Sequence, residues 1–88
     1  LLFELLAADG RGAPAEVKRE AVRWLTRAAE AGAADAQFAL AAEYYQREWY
    51  AGRLGVGQDF QLARVWAAAA ADQGHYHARR MLVMIHVL

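Results

Sequence analysis

The sequence predicts an all-α protein, an α/α superhelix (solenoid) of antiparallel helical hairpins, and three observations carry that prediction. Laid over itself with a shift of 42, the chain matches residues 21–40 to residues 63–82, with identities at Ala21/Ala63, Trp24/Trp66, Ala28/Ala70, Ala29/Ala71, Gly32/Gly74, Ala36/Ala78 and Leu40/Leu82. Self-similarity at one fixed period marks a repeat architecture. The matched positions recur three, four and seven apart, which is the spacing of one helix face. Finally, Ala fills 22 of 88 positions and Pro14 is the only proline; Ala loses no side-chain entropy on entering a helix, so this composition favours helix throughout.

The elements follow in order. Residues 1–12 read as the tail of a helix from a preceding unit and its turn, and residues 13–46 as the first hairpin. Pro14 suits the first turn of a helix, where its missing N–H costs nothing. From there Ala21, Trp24, Leu25, Ala28 and Ala29 line one apolar face opposite a charged one. Gly32 suits the left-handed residue just past the helix end. A second helix over about 34–46 puts Ala36, Leu40 and Tyr44 four apart on one side. Residues 47–57 are an inserted loop, and residues 58–88 repeat the plan, with Asp59 as N-cap, Gly74 as the break and Leu82 at the place of Leu40. The chain begins at Leu1 and stops within the apolar run MLVMIHVL, so it is expected to be a piece of a longer repeat protein.

The stretch WLTRAAEAGAADAQFALAAEY, residues 24–44, resembles the Sel1-like repeat pattern W-Y-x-K-A-A-E-Q-G followed by A-Q-x-x-L-G-x-x-Y. GVGQDFQLARVWAAAAADQG, residues 55–74, is similar to the linker and first helix of the next such repeat. Three positions depart from the pattern: Ala41 where it has Gly, Ala67 where it has Tyr, and Leu62 where it has Lys. The period of 42 also exceeds the mid-thirties of the family, and the excess falls in QREWYAGRL. The resemblance implies about two repeats plus a partial helix at the N-terminus. In function it implies a non-catalytic adaptor or scaffold for protein partners, often in bacterial envelope, secretion or signalling systems. An alternative is a spacer inside a larger solenoid. A third reading, a β-lactam-binding or hydrolysing relative, belongs to a cysteine-rich branch that ties each hairpin with a disulfide, and this chain has no Cys; failure to bind or hydrolyse a β-lactam would end it.

Charge and composition narrow the function classes. Ten Lys and Arg balance ten Asp and Glu, which argues against a nucleic-acid partner, because such binding draws on phosphate neutralisation. Nine of the ten basic residues are Arg, which together with the Ala content fits a GC-rich bacterial genome. No apolar run approaches the roughly 20 residues that span a bilayer, so no membrane insertion is expected of this segment. The compartment is left open between bacterial cytoplasm and periplasm.

Candidate chemistry is sparse. With no Ser, no Cys and Thr26 alone among hydroxyl-bearing aliphatic residues, no nucleophile meets a base, and no catalysis is expected. His75 and His77 point about 200° apart on a regular helix, and His86 lies about 13 Å beyond His77, so no metal site is expected either. GVG at residues 55–57 follows no strand and precedes no Lys, so no cofactor phosphate is expected there.

What remains is a surface. Arg19, Arg23 and Arg27 form an i, i+4 line among Glu16, Glu20 and Glu30, whose spacing predicts mutually neutralising pairs. With Thr26, Gln61, Val65 and Ala69 they would line the groove formed by the first helix of each hairpin. Trp49, Tyr50 and Arg53, in the insertion, are of the types that dominate interface hot spots; the competing expectation is that the insertion folds back over the end of the second helix. His75, His77 and Arg79 are expected as exposed contact residues. Trp24, Gly32, Leu40, Tyr44, Asp59, Trp66, Gly74 and Leu82 are expected to be structural, the two tryptophans anchoring interfaces between neighbouring helices. Self-association of the fragment is a further expectation, because repeats lacking their neighbours expose apolar faces.

Overall fold

The computed structural model describes residues 14–47 and 52–86. The tail expected over residues 1–12 lies outside them, as do Trp49 and Tyr50. Among the described residues the chain is all-helical: α1 (Ala15–Glu30), α2 (Ala34–Tyr45), α3 (Phe60–Asp72) and α4 (Tyr76–His86). Packing runs in sequence, with α1 against α2, α2 against α3 and α3 against α4.

The two hairpin corners are copies of each other. Gly32 has φ +99 and Gly74 has φ +86, left-handed values that a Cβ would disfavour. Past each glycine the next N–H donates back to the same place on the preceding helix: Ala33 to the Ala28 carbonyl at 3.0 Å, and His75 to the Ala70 carbonyl at 3.1 Å. These bonds satisfy carbonyls that a helix end leaves open. The shift of 42 maps 28 onto 70 and 33 onto 75, so the repeat read from the letters is repeated in the backbone.

Helix starts differ in how they are capped. Asp59 caps α3, its carboxylate accepting from the Leu62 N–H at 3.1 Å, the usual N-cap device. Pro14 and Ala33 stand before α1 and α2 without side-chain caps. Before α4 stands His75, whose Nδ1 accepts from the Ala78 N–H at 3.2 Å.

The core lies in two joined clusters. The larger gathers Ala41, Tyr45, Ala63, Ala67, Met81 and Ile85, and the smaller gathers Leu25, Ala29 and Leu40; Trp66 and Tyr44 pack against both. Alanines dominate the facing surfaces of α2 and α3, which lets the helix backbones approach closely. Tyr45, Leu40 and Met81 are the largest fully buried side chains and fill the space the alanines leave.

Candidate interaction surface

Trp24 and Trp66 share a repeat position and part company in the structure. Trp66 is half-buried against both clusters, whereas Trp24 is 58% exposed. The expectation that Trp24 anchors a helix interface is therefore corrected among the described residues. The physical reason is positional. Around α3 the buried sector contains Ala63, Ala67 and Ala70, with Trp66 at its edge, because α2 packs on that side. Around α1 the buried set is Ala21, Leu25 and Ala29, rotated away from Trp24 toward α2. Beside Trp24 this leaves a groove of about 380 Å³ bordered by Leu25, Ala28, Asp35 and Ala36.

The arginine line is solvent-exposed. Among the described residues, Arg19, Arg23 and Arg27 make no ion pair with Glu16, Glu20 or Glu30, and Arg27 instead holds its guanidinium 5.6 Å from the centre of the Trp24 ring. The predicted i, i+4 pairs are thus not closed, which accords with the small gain such exposed pairs offer against side-chain entropy. The shift of 42 lays Arg19 over Gln61, Arg23 over Val65 and Arg27 over Ala69. Gln61 is exposed and Val65 is 58% exposed, with Leu62 beside them partly so. The two equivalent helices thus carry an outward stripe that is charged on α1 and largely apolar on α3.

The described part of the insertion folds back. Glu43 of α2 accepts from the backbone N–H groups of Arg53 at 2.8 Å and Leu54 at 2.9 Å, and Leu54 packs against the Leu25–Ala29–Leu40 cluster. Gln46, the left-handed residue ending α2 at φ 50, donates from its side chain to the Glu43 and Val56 carbonyls. Arg53 is held here through its backbone N–H. Trp49 and Tyr50, as stated, lie outside the described residues.

The DQGHYHARR corner corrects a second expectation, because the His75 side chain is only 14% exposed. Its ring stacks on Phe38 at 4.6 Å, with His77 5.9 Å from the same phenyl. Its Nε2 lies 3.3 Å from the Asp35 carboxylate while Nδ1 caps α4. Both ring nitrogens are thereby engaged in protein contacts. His77 and Arg79 are exposed. Next to it, the Gln73 amide donates to the Gly32 carbonyl at 2.8 Å and to Gln37 Oε1 at 3.0 Å, and the buried Gln37 donates to the Ala29 carbonyl at 3.0 Å. These bonds tie the second corner to the first. Sequence reasoning missed the pair, and its only signal was a glutamine at an otherwise apolar, core-facing position of α2.

No group of three or more His, Cys, Asp or Glu side chains among the described residues could hold a metal ion, and no described helix is long and apolar enough to cross a membrane. No family model, curated protein or solved structure matches this chain.

Proposed function

We propose that this chain is a non-catalytic protein-interaction scaffold, a short solenoid of Sel1-like hairpins whose outward stripe on α1 and α3 receives a protein partner. The observation that carries the reading is the pair of identical corners at Gly32 and Gly74, with helices packed in sequence. Hairpins stacked in this way contact only their neighbours, so their outer helix faces stay open and form an extended surface. On that surface Arg19, Arg23, Val65 and Gln61 occupy equivalent positions with solvent-exposed side chains. The stripe supports a partner that brings carboxylates to α1 and an apolar side chain to Val65. Arg27 and Arg53, with Trp49 and Tyr50 of the insertion, extend the same proposal toward the edges.

Affinity capture with the full chain tests it, followed by a direct titration of the captured protein after purification. One saturable partner is expected, weakened at least tenfold by R19Q/R23Q or by Val65→Asp. Capture of nothing, or of a protein indifferent to those changes and to Trp49→Ala and Tyr50→Ala, would make the repeats a spacer instead.

A further inference from the structure

The His75 imidazole holds a place that only its neutral form can keep. Nδ1 accepts from the Ala78 N–H at 3.2 Å, so it carries no proton and the ring's one N–H lies on Nε2. Nε2 in turn faces the Asp35 carboxylate at 3.3 Å. Ala78 is the third residue of α4, and in α3 the third residue, Leu62, donates to its own cap, Asp59. The two caps differ in one respect. A carboxylate keeps its acceptor lone pairs around neutral pH, whereas imidazole loses its only acceptor when it takes a second proton.

That proton acts in opposite senses on the two sides of the ring. Toward α4 it sets one donor, Nδ1–H, against another, the Ala78 N–H, and puts a positive charge at a helix N-terminus, where the macrodipole is itself positive. Toward α2 the same charge meets Asp35 at Nε2, a charge-assisted contact. Asp35 from α2 and His77 from α4, its ring centre 6.0 Å away, are the titratable groups facing the ring. Asp72, at the end of α3, is exposed and makes no ion pair with it among the described residues. Although stacked on Phe38, the His75 side chain keeps 14% of its surface exposed, so protons reach it from solvent.

We propose that His75 is a pH-sensitive fastener: neutral, it caps α4 and closes the second hairpin; protonated, it releases the first turn of α4 and ties the second corner to Asp35 of the first hairpin. The device is particular to this corner. Its counterpart in the first corner is Ala33, and α2 starts there without a side-chain cap. Asp35 also borders the groove beside Trp24, so the same proton offsets the acidic charge at that groove.

NMR on the full, isotope-labelled chain at about pH 8 and about pH 5 tests it, with imidazole nitrogen shifts reporting the protons on His75 and amide exchange reporting the caps. At the higher pH the proton is expected on Nε2 alone. At the lower pH both nitrogens carry one, and the protection factor of the Ala78 amide falls at least about fivefold while that of Leu62, capped by Asp59, holds. His75→Asn supplies an acceptor that does not titrate, and should leave Ala78 equally protected at both pH values. His77→Gln should respond as the unmodified chain does. A proton on Nδ1 at the higher pH, a ring that takes no second proton at the lower, or Ala78 protection indifferent to the change would each overturn the proposal. So would a loss that persists in His75→Asn or vanishes in His77→Gln.

Discussion

His75 does three jobs from one ring: it caps α4 through Nδ1, approaches the Asp35 carboxylate through Nε2, and stacks on Phe38. Ala33 holds the same repeat position and α2 starts after it without a side-chain cap, so the fold tolerates the loss at a cost. His75→Ala is expected to cost about 1–2 kcal/mol, from the lost cap and the lost ring contact; urea unfolding of the full chain followed by circular dichroism measures it. Asp59→Ala, which removes only a cap, should cost about 1 kcal/mol by the same measurement. Gly32→Ala and Gly74→Ala place a Cβ at φ +99 and φ +86, and each should lose about 1–2 kcal/mol through backbone strain alone, since nothing lies within 4 Å to clash. Equal costs at the two glycines would agree with their equivalence as corners.

At the scale of elements, much was readable in the letters, for physical reasons. The corners were legible because glycine at a left-handed position is a backbone requirement that few other residues meet. The starts of α1 and α3 were legible through Pro14 and Asp59, both local signals. The fate of Trp24 was not, because exposure depends on which element covers a face, and the shared tryptophan letter does not say that Trp66 meets both core clusters while Trp24 faces outward. Nor was the role of His75: imidazole at a helix start has several uses, and only the position of Phe38 and Asp35 across the corner selects among them. The fold-back of the insertion was one of two open expectations, decided for its described part by the carboxylate of Glu43. Replacing Glu43 by Ala should free the Arg53 and Leu54 amides, raising their hydrogen exchange by at least tenfold while α3 amides stay protected. Unchanged exchange at those two amides would show that Leu54 packing alone holds the segment.

At the scale of the molecule, the buried side chains of the described residues gather largely about α2 and α3. The joint between hairpins, α2 against α3, holds Trp66, Tyr45, Leu40 and the buried alanines, with the Gln73–Gln37 bonds closing its corner side. Stacked repeats of the proposed kind lose most when the joint between them is damaged and least when an outer face is trimmed. The proposed scaffold depends on that asymmetry, since a partner can bind the outer stripe only if the joint holds the two hairpins in fixed register. Urea unfolding of the full chain by circular dichroism, with Trp66→Ala and Trp24→Ala measured side by side, tests this most directly. Trp66→Ala is expected to cost about 3 kcal/mol, and Trp24→Ala no more than about 1 kcal/mol. Equal losses at the two tryptophans, or a larger loss at Trp24, would contradict a stack whose joint lies between α2 and α3.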